Sequence, residues 1–225
     1  MDLAELQETQ VSVAADRIMS DIRTGALVAG SKLRIAELRA RYGIGASPLR
    51  EALSMVASLG YATSESHRGY RVAEMSPTDL ADITRAREVI EVGMLRESMM
   101  THDDEWAVGI ISATERLKRL VAKSQKDGMR GETTNAAHKQ LHMALVAGCG
   151  STRLAKMQDL LFDQAARYRD IMINEIRSPA HFVEIHETLA EVVLSGDIER
   201  ASTALRDHLN RTLVEVYTPK AGRPG

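Results

Sequence analysis

The chain has 225 residues, room for one large domain or two small ones. Lys and Arg total 29 against 31 Asp and Glu, a net charge of -2 that excludes a uniformly basic nucleic-acid coat and an acidic solvating tail. Apolar residues at 44% suffice for a buried core, while 4% aromatics, 11 Met and 5 Pro favour helices over a β-sandwich.

In chain order, Leu6 to Thr24 is the first predicted helix, because Val11, Ala14, Ile18 and Ile22 fall on one face. Gly25 and Gly30 end it in a turn, and Lys32-Leu33-Arg34 is a short link into a second helix, Ile35 to Arg41. After the turn Tyr42-Gly43-Ile44-Gly45, Ser47 reads as an N-cap and Pro48 as the first position of a third helix. That helix runs Leu49 to Leu59, with Leu49, Leu53, Val56 and Ala57 as its buried stripe and Gly60 as its stop. Two β-prone stretches then flank Ser66-His67-Arg68-Gly69 and predict a hairpin. Helix, helix, turn, helix and hairpin spell a winged helix-turn-helix over residues 1–75.

Ser76-Pro77 marks a second boundary, and residues 76–217 read as an all-helical bundle. Helices are predicted near 77–101, 103–126, 132–148, 150–175, 179–195 and 197–217, with 218–225 as a flexible tail. The fold class is thus mainly α: an N-terminal winged helix-turn-helix plus a C-terminal helical bundle. Cys149 is the single cysteine, so an internal disulfide and a thiolate metal cluster are excluded. No secretory leader opens the sequence, and no apolar run nears the roughly 20 residues of a membrane helix. The expectation is a soluble, cytoplasmic protein without a membrane partner.

The neutral total hides a local asymmetry. Between positions 17 and 50, Arg17, Arg23, Lys32, Arg34, Arg39, Arg41 and Arg50 stand against Asp21 and Glu37. A helix-turn-helix lays its second helix in the major groove, N-terminal residues toward the bases. Here those residues are Ser47, Arg50 and Glu51, and Arg50 has the fork that matches guanine or a phosphate. Arg34, Arg39 and Arg41 are placed to grip the backbone on either side. His67, Arg68 and Gly69 form the wing tip, where glycine permits a close minor-groove approach. The partner expected is a double-stranded, pseudo-palindromic DNA operator read by a homodimer.

The bundle carries a second constellation. His138 and His142 are i and i+4, on a face that Leu145 and Cys149 extend. His186 lies in the stripe Phe182, Leu189, Val193, and His208 in the stripe Ile198, Ala201, Leu205, Thr212. Four imidazoles from three helices therefore point toward an apolar interior, where bundles assemble metal sites. Nitrogen ligands suit a divalent transition metal, zinc first, with nickel or iron as alternatives. Lys139 stands where the zinc-hydrolase helix has its general-base Glu, so the pair signals metal holding more than hydrolysis. Arg87 offers a planar fork for a carboxylate, in competition with an i,i+4 ion pair to Glu91. Arg167, Tyr168 and Arg169 lie on the long helix after Gly150 and are further candidates for an effector.

The run Leu33-Arg34-Ile35-Ala36-Glu37-Leu38, with Tyr42-Gly43-Ile44, Ser47 to Leu53, Leu59-Gly60-Tyr61 and Arg68-Gly69-Tyr70-Arg71-Val72, resembles the GntR transcription regulators. Gly45-Ala46 stands where that family has Ser-Arg, so Arg50, on the family's second arginine, carries the base contact. Arg87-x-x-x-Glu91, His142, the turn from Gly148 to Leu154, Ile185-His186, Gly196-Asp197 and His208-Leu209 resemble the FCD effector domain of the family's FadR-like branch. That resemblance implies a divalent metal held by an Asp and three His at the bottom of a ligand cavity. His142, His186 and His208 fall on the three His positions, and His138 replaces the Asp, giving an all-nitrogen site. The segments 146–151 and 161–169 are similar to glutarate-responsive members, which implies a small organic acid, a dicarboxylate, as effector. The function implied is a ligand-responsive repressor rather than an enzyme. A metal-dependent enzyme using the His site and a direct metal sensor are the alternatives.

Overall fold

In a computed structural model, residues 3–65, 68–101, 103–123, 132–173 and 179–217 are described. The wing-tip His67, the turn residue His102 and the tail 218–225 lie outside them. The chain divides into two compact units, 1–76 and 77–225.

In the first unit, α1 (Leu3–Arg23) buries Ala14, Ile18 and Ile22, with Ala15 between them. It packs against α3 (Ala46–Ser58), whose buried row is Pro48, Leu49, Ala52, Leu53 and Val56. Ala57, expected in that row, is only partly buried. Between them α2 (Ile35–Tyr42) ends on Gly43, at φ 69°, whose N–H donates to Arg39 O. The Tyr42 hydroxyl donates to Asp21 at 2.7 Å and Arg41 pairs with the same carboxylate at 2.6 Å, tying α2 to α1.

Two expectations need correction here. Ser47 is not the N-cap of α3. Gly45 holds that position, its carbonyl accepting from Leu49 N at 3.2 Å, and Ser47 sits inside the first turn. The cause is that none of the first-turn N–H groups has an intrahelical acceptor, so a proline fits as well at the third position as at the first. Nor is 32–34 a mere link. Lys32–Leu33 forms β1, which pairs antiparallel with β3 (Gly69–Val72), and β3 pairs with β2 (Ala62–Glu65), giving the order β1-β3-β2. Leu33 lies opposite Tyr70 and buries its side chain in the core with Val72 and Tyr61.

The second unit is a helical bundle: α4 (Pro77–Thr101), α5 (Asp104–Lys123), α6 (Glu132–Leu145), α7 (Thr152–Ile173), α8 (Pro179–Leu194) and α9 (Ile198–Tyr217). Asp103 and Asp197 cap α5 and α9, accepting from Trp106 N and Arg200 N. α4 lies against α7 and α9, and α5 against α6 and α8. Leu95, Ile110, Leu117, Leu141, Leu189 and Leu205 fill the centre. α6 stops at Leu145, short of the expected 148, and a 3-10 turn, Ala147–Cys149, follows. The turn lies on α4, where a Cβ on Gly148 would come within 3.0 Å of Ser98 Cα. Cys149 therefore leaves the α6 face it was expected to extend. No helix among the described residues is long and apolar enough to cross a membrane.

Candidate metal centre and nucleic-acid interface

Helical spacing delivers the four histidines. His138 and His142 are one turn apart on α6, His186 is on α8 and His208 on α9. Their ring nitrogens converge: His142 Nε2 lies 3.0 Å from His138 Nε2, His186 Nε2 2.8 Å from His138 Nε2, and His208 Nε2 3.2 Å from His142 Nε2. All four ligand atoms lie within 4.8 Å of one another. Bonds of about 2.0–2.1 Å from one ion to imidazole nitrogens put neighbouring donors roughly 3 Å apart, which the three close contacts match, so a small inward shift of the rings would let the set hold a single divalent cation.

Protonation favours the same use. Burial holds His138, His142 and His208 well below 6.5, and His186 at about 4 against the upward pull of its bond to Phe182 O. The rings are neutral at pH 7, the form that binds metal. His186 Nδ1 donates to Phe182 O at 2.6 Å, which leaves Nε2 with its lone pair facing the cluster.

Around the rings lies a shell of charge. Arg87 forms the i,i+4 pair, Nε to Glu91 Oε1 at 2.6 Å and Nη2 to Oε2 at 3.3 Å, with both side chains buried. Glu91 Oε2 is also 3.7 Å from His142 Nδ1, so one carboxylate bridges the guanidinium and the cluster. The two uses weighed for Arg87 therefore do not separate in space. Arg169 lies over the Phe162 ring at 4.0 Å and Arg87 at 5.4 Å, while His138 and His142 touch the same ring. Tyr168 is fully buried but turned elsewhere, its hydroxyl donating to Asp79 at 2.5 Å. Arg167 is buried on the same helix.

A void of about 30 Å³ among His138, Arg169, His186, His208 and Arg211 has room for an ion or a water, not for a dicarboxylate. An open groove of about 260 Å³ shares His181, Ile185, His208 and Arg211 with it. Phe162 and Arg211 were not singled out from the sequence, and Glu91 was named only as a partner for Arg87, not for its approach to His142. Arg211 could have been, since it is three residues beyond His208 on the same helix.

On the first unit, Ser47, Arg50 and Glu51 are exposed at the start of α3, with Ser47 Oγ 3.3 Å from Glu51 Oε1. A groove of about 450 Å³ between β1, α3 and the hairpin is lined by Lys32, Arg34, Arg50, Arg68 and Gly69. This brings together three of the expected arginines and adds Lys32. Arg34 also reaches Glu37 at 2.7 Å, and Arg39 is exposed on α2. Arg41 is turned to Asp21 and away from that groove.

Residues 10–72 match the family described as bacterial regulatory proteins, gntR family, and residues 82–211 match the FCD domain. The chain is 35% identical to the HTH-type transcriptional repressor GlaR of Escherichia coli (strain K12), over 91% of this chain and 94% of that protein. It is 29% identical to the HTH-type transcriptional regulator BphR of Paraburkholderia xenovorans (strain LB400), over 90% of this chain and 83% of that one. Among solved structures, McbR/YncC of E. coli shares the fold with a TM-score of 0.72 at 18% identity, covering 92% of this chain and 97% of that chain. A GntR regulator from Rhodococcus sp. RHA1 does so with a TM-score of 0.73 at 17% identity, covering 96% and 100%.

Proposed function

The chain belongs to the GntR family of bacterial regulatory proteins and carries an FCD domain; from that premise we propose that it is a cytoplasmic, homodimeric repressor whose helical domain binds a divalent metal and a small organic acid. Its relatives are named transcriptional regulators, and the reading of the His site as an enzyme's falls with that.

The single observation that carries the metal is the convergence of four imidazoles, three buried and His208 partly buried, with their nitrogens within 4.8 Å. His138, His142, His186 and His208 would hold the ion. When bound, it supplies an uncompensated positive charge, because none of the four ligands is a carboxylate. That charge, with Arg87, Arg169 and Arg211 around it, favours an anion. Glu91 already occupies part of the Arg87 fork, which limits how much of that fork a ligand can take. The small void requires the bundle to open for a dicarboxylate, and the groove by His181 and Arg211 is the route the side chains leave. A ligand that binds the opened arrangement better than the closed one shifts the population toward it, which is what a repressor's effector must do.

At the other end, the two heads of a dimer would read half-sites related by twofold symmetry. Arg50 and Glu51 would face bases, with Ser47 beside them. Lys32, Arg34, Arg39, Arg68, Gly69 and His67 would hold the backbone and the groove edge, while Arg41 is held by Asp21.

The test is thermal unfolding of the purified protein with zinc, then with zinc and glutarate as the probe dicarboxylate. Zinc is expected to raise Tm, and glutarate to raise it further only in the metal-loaded protein. His142→Ala should abolish both rises, and Arg87→Ala the second. If both variants keep both rises, the site assignment fails. A metal response of operator binding in the absence of any organic acid would instead favour direct metal sensing.

A further inference from the structure

One side of α4 is left unused by the bundle around it. The helix turns its buried side to α7, α9 and the 3-10 turn. On the open side Arg85, Val89, Gly93 and Glu97 follow at four-residue spacing, and all four are exposed. Residues four apart form a ridge of the kind by which helices pack. Val89 is 72% exposed, and Met100, further along the same side, is 66% exposed. No other large apolar side chain among the described residues is as exposed as these two.

The ridge also carries charges that nothing beside them answers. Elsewhere on α4 the charged side chains have partners: Arg87 pairs with Glu91, Arg96 with Glu199, and Glu88 accepts from Asn210. The side chains of Arg85 and Glu97 make no ion pair or hydrogen bond among the described residues. Gly93 is an open notch next to Val89, with nothing within 4 Å of where a Cβ would stand. A glycine weakens a helix interior, so a notch at this position has a use only if something enters it.

Reversed, the row is complementary to itself. About a twofold axis midway between Val89 and Gly93, an antiparallel copy sets Val89 against the other copy's Gly93 and Arg85 against the other copy's Glu97. The twofold then repeats each contact, as a self-complementary interface requires. Two ridges of four-residue spacing lie alongside each other when helices cross at about −50°, the commonest packing class. We propose that this face of α4 is where two copies of the chain pair, Val89 seated in the notch at Gly93 and Arg85 bridged to Glu97. The assignment rests on the homodimer reading and names the surface that makes the dimer. It is separate from the metal centre, since none of the four residues touches a histidine of the cluster.

Sedimentation equilibrium of the full-length protein over a concentration series is the test. The unsubstituted chain is expected to be dimeric. Val89→Asp, which buries a charge in the notch, and Gly93→Leu, which fills it, should each weaken the dimer roughly tenfold or more. Arg85→Glu or Glu97→Arg alone sets like charges opposite each other twice and should do the same. The double variant Arg85→Glu with Glu97→Arg restores opposite charges and should return the dimer constant to within about threefold of the original. All these positions are exposed, so the helical circular dichroism of each variant should be unchanged, which separates a lost interface from a lost fold. A monomeric unsubstituted chain would overturn both this face and the homodimer reading. A dimer that survives Val89→Asp and both single reversals would overturn this face and leave the homodimer reading standing. A double variant no tighter than the single ones would overturn the pairing of Arg85 with Glu97, and with it the antiparallel register.

Discussion

Four imidazoles held neutral inside a bundle make stability depend on acidity. In an unfolded chain these histidines protonate near 6.5, whereas in the folded chain His138, His142 and His208 are held well below that value and His186 at about 4. Between those limits the unfolded state binds more protons, so stability rises with pH and falls as acid is added. The chelator-treated protein is therefore expected to keep its full Tm above about pH 6.5 and to lose it progressively as pH drops toward about 4. A bound divalent ion competes with protons for the same nitrogens, so the metal-loaded protein should hold its Tm to lower pH before the ion is released. Thermal unfolding across that range, with and without chelator, reads both curves. Identical curves would mean that the rings take up no ion, and a flat chelator curve would mean that their burial carries no proton linkage. Glu91 belongs to the same residue-level picture. It pairs with Arg87 and its carboxylate lies 3.7 Å from His142 Nδ1, so it limits the positive field around the cluster.

At the scale of elements, the junction of the 3-10 turn with α4 is set by one absent methyl group. A Cβ on residue 148 would meet Ser98 Cα at 3.0 Å and its carbonyl oxygen at 3.2 Å, backbone atoms that cannot rotate away. Gly148→Ala is expected to cost about 1–3 kcal/mol, seen as a lower urea midpoint with an unchanged slope. Gly109→Ala, on the exposed face of α5 with nothing within 4 Å, should be neutral or gain up to about 1 kcal/mol. Equal effects at the two sites would show that helix propensity, not the close approach, dominates. The same junction marks the limit of what local sequence conveys. Periodicity gave the bundle helices and placed His142, His186 and His208 inward, because each lies in an apolar stripe of its own helix. It ran α6 on to 148, because the contact that ends it comes from α4. Phe162 and the reach of Glu91 to His142 stayed hidden for the same reason, since both depend on which helices pack together. In the first unit, Arg34, Arg50 and Arg68 were legible as charge, while Lys32 joined their groove only once β1 was seen to pair with β3. Ser47 was misplaced because a Ser-Pro pair is also accommodated two positions further into the first turn, where the proline's missing N–H is not needed.

For the whole molecule, the chain's near-neutral total conceals a division of labour between two units with separate cores. Lys32, Arg34, Arg50 and Arg68 line the groove of the first unit, while in the second unit Arg87 and Arg169 are buried around the histidines and its exposed cations, such as Arg116 and Lys118, are interspersed with Glu115 and Glu187. The salt dependence of operator affinity is expected to report on the basic groove of the first unit. On duplexes selected from a random pool, log K is expected to fall linearly with log salt, by about 0.9 for each phosphate neutralised. Lys32→Ala should lower that slope by about one and weaken all sequences alike, as loss of a phosphate contact does. Arg50→Ala should cost about 1–3 kcal/mol on the selected duplex and relax preference at one base pair in each half-site, leaving non-specific binding nearly unchanged. Fluorescence anisotropy across a salt series separates the two behaviours. If Arg50→Ala changes the slope and not the sequence preference, then Arg50 grips phosphate, and base reading with Gly45-Ala46 in place of Ser-Arg must come from Ser47, Glu51 or the wing.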